Sequence, residues 1–194
     1  MAHKNPDFKP LEVEACDTRE EGVFIISEKP SESFIHIALS NINYNYYSRK
    51  ELYISSKKVA SSHKQILYPE HFFTYRDSIE LNDNTLKNYY TYYQFINRYL
   101  DNLADDGHKK QKTFFNKTSY EHQTQKLRLI DSLITNKQLH DNLLHNTVKR
   151  YLVHADDSQK EHDLVALFKK LDHNEAHQKE VERYAHNTAK INAG

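Results

Sequence analysis

The sequence predicts an α+β fold, a small antiparallel β segment followed by a helical bundle of about five helices. Three observations predict it. Apolar residues alternate with a period of two at 33–40. Near Asn82 the period changes to that of a helix, and it stays helical to the end of the chain. Glycine is scarce, at 3 residues in 194, which disfavours turn-rich barrels and propellers.

Residues 1–20 carry Pro6, Pro10 and mixed charge without a period, and read as an extended lead-in. Residues 21–82 read as a β-rich subdomain. "GVFIIS" (22–27) is a β-branched and aromatic run after the turn-like "REEG". "SFIHIALS" (33–40) sets Phe34, His36 and Ala38 on one side and Ile35, Ile37 and Leu39 on the other, reached through "EKPSE" with its Pro30. "ELYISSKKV" (51–59) is a third strand candidate, and "HKQILY" and "FFTYRDSIEL" offer one or two more.

Residues 83–194 read as a helical subdomain. "NDNT" supplies capping side chains, and Leu86, Tyr89, Tyr90, Tyr93, Ile96, Leu100 and Leu103 follow at steps of three and four, with Gly107 as a C-cap. A capping box at Thr118 and Glu121 opens a second helix with Leu127, Ile130, Leu133 and Ile134. Leu139, Leu143, Leu144, Val148, Tyr151 and Leu152 stripe a third. Ser158 and Glu161 make a second capping box before Leu164, Leu167, Phe168 and Leu171. Asn174 caps the last helix, with Val181, Tyr184, Ala185, Thr188 and Ile191. Links this short favour antiparallel neighbours.

"NYYTYYQFINRYL" (88–100) holds five tyrosines and a phenylalanine. On a helix these rings cover more than half the circumference, so the segment reads as a central core helix and not as a stacking platform for bases or sugars. Tyr89, Tyr93, Ile96 and Leu100 are its expected buried line. The chain has 13 histidines, and the pattern best suited to a metal is His173, His177 and Glu180, at steps of four and three on one helix face. No HExxH order accompanies it, and the reading preferred is a solvated face. His140 and His145 stand five apart, which is poor spacing.

No GxSxG, phosphate loop or dinucleotide fingerprint is present, and no cofactor is expected. Carboxylate pairs at Asp105/Asp106 and Asp156/Asp157 read as helix caps. The single cysteine, Cys16, stands among Glu12, Glu14, Asp17, Glu20 and Glu21. With no second thiol and an acidic setting, thiol–disulfide exchange by this chain is not expected. Basic and acidic residues balance at 27 each, which argues against nucleic acid as a partner. No apolar run reaches the length of a membrane span, and no signal core opens the chain.

The order "GVFIIS…ELYISSKKV…TLKNYYTYYQFINRYLDNLA…KTFFNKTSYEHQTQKLRLIDSLI" resembles the region that precedes the catalytic domain in bacterial thioredoxin-like (TlpA/AhpC-type) disulfide reductases. The resemblance spans roughly residues 22–191. It implies a non-catalytic accessory or interaction domain in a periplasmic setting. The implied partners are a protein, a linked redox domain or a second copy of the chain. The family's CxxC is absent, so no catalytic residue carries over. The alternatives are a self-standing helical protein that binds a peptide or small ligand, with the cytoplasm as its setting, and a metal-dependent enzyme using the histidines.

Overall fold

The computed structural model describes residues 30–61, 66–108 and 116–192. Six helices follow one another: α1 Glu32–Ser61, α2 Tyr90–His108, α3 Tyr120–Leu133, α4 Lys137–Leu152, α5 Ser158–Leu171 and α6 Glu175–Asn192. A 3₁₀ turn, Thr74–Ser78, lies in the long link between α1 and α2. Helix α1 packs on α2, α2 on α3 and α3 on α4, while α5 and α6 close against α4.

The α+β expectation fails, because no strand occurs among the described residues. The segments 33–40 and 51–59, expected to be separate strands, are parts of the single helix α1. "FFTYRDSIEL" holds the 3₁₀ turn instead of a strand. "GVFIIS" lies outside the described residues, as do residues 1–20. The physical reason is visible along α1. Neither glycine nor proline occurs from 31 to 68, so the glycine that the favoured two-residue hairpin turns use is missing between the two segments. A short apolar run satisfies either period, and only the full 30 residues of α1 reveal the helical one.

The helices after residue 89 follow expectation more closely, with shifted caps. Ser119, not Thr118, caps α3 by accepting from the His122 amide, and Asp157, not Ser158, caps α5 by accepting from the Gln159 and Lys160 amides. Asn136 caps α4. Asn174 accepts from the amides of Ala176 and His177, as expected. Helix α2 runs through Gly107 instead of ending there. Asp105 and Asp106 are inside it and pair with Lys58.

One hydrophobic cluster runs from Tyr44 on α1 to Val181 on α6. The tyrosine-rich helix α2 is its axis, with Tyr92, Phe95, Ile96 and Leu100 wholly enclosed. The buried line is rotated from the expected one. Tyr89 and Tyr93 are half-buried, whereas Tyr92 and Phe95 turn inward because α1 covers that flank. Tyr44 sits edge-on to Tyr92 at 4.8 Å between ring centres. The Tyr92 hydroxyl donates to the Glu80 carbonyl at 2.8 Å and accepts from the Asp83 amide at 3.1 Å. Burial raises its pKa, so the phenol stays neutral and able to donate.

Truncating such a ring leaves a cavity and an unmet Asp83 amide, while the Glu80 carbonyl keeps the Tyr44 hydroxyl as a donor. Tyr92→Ala is expected to lose at least about 3 kcal/mol in urea melts, and Tyr92→Phe about 1–2 kcal/mol. Tyr90→Ala, at a ring 72% exposed, should stay within about 0.5 kcal/mol of the parent.

Candidate interaction surface

Helix α1 has two faces of different character. The inward one carries Tyr44, Ser48, Glu51, Ile54 and Ser55, all buried. The outward one carries Ile35, Leu39, Ile42, Tyr46 and Tyr53, whose exposures run from 43% to 66%. The outward spacing from 35 is four, three, four and seven, so these positions form one continuous line along the helix. Phe34, Leu52 and Val59 are also exposed beside it. Lone exposed apolar residues are ordinary on a protein surface, but a contiguous row is the mark of a covered face.

The inward face is fixed by a buried carboxylate. Glu51 is wholly enclosed. Its Oε1 accepts from the Tyr75 hydroxyl at 2.5 Å and from Arg76 Nε at 2.9 Å. Its Oε2 accepts from Arg76 at 2.7 Å and from Asn102 at 2.6 Å. Arg76 therefore clasps Glu51 with both arms of its fork. Burial and the Glu51 carboxylate together push the Tyr75 phenol up. Burial works against the charged Arg76, but the hydrogen bonds and charge of Glu51 override it and raise the guanidinium pKa. Asn102 also donates to the Glu51 carbonyl and accepts from Ser55. Lys58, one turn on, reaches Asp105 at 2.7 Å and Asp106 at 3.1 Å. Three segments, α1, the 3₁₀ turn and α2, thus meet at one residue.

Beside this junction, Tyr68, Phe72 and Phe73 lie with ring centres about 5 Å apart. The Lys50 ammonium stands 4.5 Å from the Phe72 ring centre and 4.3 Å from that of Tyr75. Burial lowers the Lys50 pKa. His71 adopts φ of 60°, the left-handed region, which turns the chain back so that the rings gather. This aromatic end props the second half of α1 against the bundle.

A second sealed charge cluster joins α2, α3 and α4. Asp101, Lys126 and His122 are each at most 2% exposed. Lys126 Nζ donates to Asp101 at 2.5 Å and to Asn97 Oδ1 at 2.7 Å, and His122 Nε2 lies 3.4 Å from Asp101. Arg150 and Lys117 approach the other Asp101 oxygen at 3.4 Å and 3.9 Å. Burial disfavours the Asp101 charge, yet Lys126 and His122 more than offset it and hold the carboxyl well below its usual range. Burial lowers the Lys126 pKa, with Asp101 opposing. The carboxylate is enclosed on all sides, so the cluster ties helices together and offers no access to a substrate.

The side chains of His173, His177 and Glu180 do not converge. His173 is exposed, and His177 Nδ1 donates to Asp172 Oδ2 at 3.0 Å. Glu180 pairs with Lys149 at 2.7 Å and stands 3.2 Å from His145 Nε2 without the alignment of a hydrogen bond. What the structure brings together is His145 and His177, whose rings stack at 4.3 Å. Burial and the neighbouring His177 lower the His145 pKa. Among the described residues, no group of three or more His, Cys, Asp or Glu side chains is arranged to hold a metal ion. Cys16 lies outside the described residues. No described helix is long and apolar enough to cross a membrane.

An open polar cleft of about 640 Å³ is lined by Asn82, Asn84 and Lys87 from the α1–α2 link, by Thr135, Asn136, Lys137, Gln138 and Asp141 at the start of α4, and by Asn174 before α6. Its amides are engaged within the fold. Asn82 bonds the Leu133 carbonyl and the Thr135 and Asn136 amides, and Asn136 bonds Asn84 and the Leu139 amide. These groups hold the α3–α4 corner to the α1–α2 link.

Because the Asp101 pair is sealed, Lys126→Met alone should cost about 3–5 kcal/mol by leaving a buried carboxylate unmatched. Asp101→Asn with Lys126→Met should cost less than the sum of the two single changes. The acid limb has a definite sign. Asp101 titrates lower in the fold than in the unfolded chain, so its contribution is complete above about pH 4 and is lost as pH falls below that value. Denaturant melts from pH 2.5 to 7 should show a shallower acid limb in Asp101→Asn than in the parent.

Compared with protein-family models, with curated proteins and with solved structures, the chain finds no match.

Proposed function

We propose that the protein is a non-catalytic interaction module whose docking surface is the outward face of α1. The observation that carries this reading is the row Ile35, Leu39, Ile42 and Tyr46, regular in spacing and open to solvent, with Tyr53 at its end packed beside Tyr68 and Phe72. A helix held rigidly along one side presents the other at little ordering cost, which favours association. Helix α1 is held by Glu51, Lys58 and the Tyr44 ring, so its outward face is preorganised. The asparagines of the polar cleft are engaged by hydrogen bonds within the fold, and its lining is polar. Both facts favour a surface over an internal ligand pocket. A place beside a thioredoxin-like redox domain belongs to the same proposal and rests on the sequence phrases of α2 and α3 alone, since 33–40 and 51–59 are helical.

A benzophenone amino acid placed in turn at Leu39, Ile42 and Tyr46, and at the exposed controls Lys170 and Glu182, tests the reading in intact cells. Position dependence is the readout. Protein adducts concentrated at the three α1 positions are expected. Adducts equally frequent at the controls, or absent from α1, would contradict the reading.

A further inference from the structure

The outward row of α1 narrows the kind of partner, and this step rests on the interaction reading above. Written as a heptad, the row places Leu39 and Tyr46 at one core position, a, and Ile35 and Ile42 at the other, d. The same lettering puts Glu32 at a and Arg49 at d, one at each end of the row. The buried residues Tyr44, Ser48, Glu51 and Ser55 fall at f and c, away from the seam. The seam therefore faces away from the bundle, and a second helix lying on it would not collide with α2.

Glu32 and Arg49 are both exposed, and among the described residues neither has an ion-pair partner. In a parallel pair of identical helices each would face its own copy, putting like charges at both ends of the seam. In an antiparallel pair an a position faces a d position of the partner. One register then sets Leu39 against Ile42, Tyr46 against Ile35 and Glu32 against Arg49. Each contact occurs twice about a two-fold axis, as a closed dimer requires. The flanking positions His36, Ala38, Asn43 and Asn45 add no acidic or lysine charge. Sliding the helices by one heptad would set Arg49 against Leu39 and Glu32 against Ser56, losing both ion pairs.

We infer that the partner of this face is a second copy of the chain, docked through antiparallel α1 helices in the Glu32–Arg49 register. The paired stretch, 32–49, spans about 27 Å at ~1.5 Å per residue. An interface of that length is at the small end for specific association, so the dimer should be weak, with Kd on the order of 10 μM.

Sedimentation equilibrium of the full chain from about 1 to 200 μM tests this. The parent should shift from monomer to dimer across that range. Arg49→Glu and Glu32→Arg should each weaken the dimer about tenfold, roughly 1.4 kcal/mol in all for replacing both symmetry-related ion pairs by like charges, and the double variant should return to within about threefold of the parent. Both sites are exposed, and an unchanged helical circular dichroism signal confirms the fold. In a Cys16→Ser background, Ile42→Cys mixed with Leu39→Cys should form a mixed disulfide in preference to an Ile42→Cys homodimer. A chain that stays monomeric at 200 μM, a double variant without rescue, or a preferred Ile42→Cys homodimer would overturn the inference. A monomeric chain that still gives benzophenone adducts concentrated on α1 would overturn the second-copy partner alone and leave the interaction reading standing.

Discussion

A single buried carboxylate sets the course of the first half of the fold. Glu51 sits midway along the second half of α1 with no solvent contact, and a charge placed there is costly unless every acceptor site is used. Arg76 arrives from the 3₁₀ turn, Tyr75 from the same turn and Asn102 from α2. Those demands fix the rotation of α1 about its axis, because only one rotation brings Glu51 under Arg76 and Asn102 together. Once Glu51 points inward, Ile35, Leu39, Ile42 and Tyr46 must point outward. The exposed seam is thus a geometric consequence of the buried pair.

The second carboxylate performs the matching task on the other side of α2. Asp101 is adjacent in sequence to Asn102, and the two side chains leave α2 in different directions, one toward α3 and α4 and the other toward α1. The tyrosines fill the space between these polar ties. Their rings supply the apolar area, and their hydroxyls reach carbonyls or amides at the margin, as Tyr92 does at Glu80 and Tyr93 does with Asn146. This combination explains how a chain with so much charge encloses a core. The charged groups near the axis are matched among themselves, and aromatic rings surround them.

The sequence made the second half legible and concealed the first. Helices α2 to α6 carry long stripes of leucine and tyrosine with capping residues between them, so their period is unambiguous. The differences lie in details: caps at Ser119 and Asp157, where two adjacent residues were each capable of capping, the passage of α2 through Gly107, and the turn of its buried line toward Tyr92 and Phe95. In α1 the inward face carries Tyr44, Ser48, Glu51 and Ser55 with Ile54 as its one aliphatic residue, which scarcely registers as apolar, while the outward face does. The apolar pattern was therefore read on the wrong side of the helix and cut into short strands. The 4-3-4 spacing from Ile35 to Tyr46 was the available signal, together with the absence of glycine and proline between 31 and 68. Burial of Glu51, Asn102 and Asp101 was not legible, because polar residues reveal their partners only once the fold brings distant segments together. The candidate metal pattern failed for the related reason that spacing on one helix does not say what the neighbouring helix supplies. Here α4 supplied Lys149 and His145.

The central claim is that residues 32–61 form one continuous helix with its outward side open. Spin labels at Phe34 and Val59, both exposed, measure it directly in labelled chain diluted with unlabelled chain. A continuous helix places the two backbones about 37 Å apart at ~1.5 Å per residue, and the label-to-label distribution should be narrow and centred near that value. A distribution centred below about 20 Å, as for two strands paired side by side at ~5 Å, would contradict the account, and with it the docking face that depends on it.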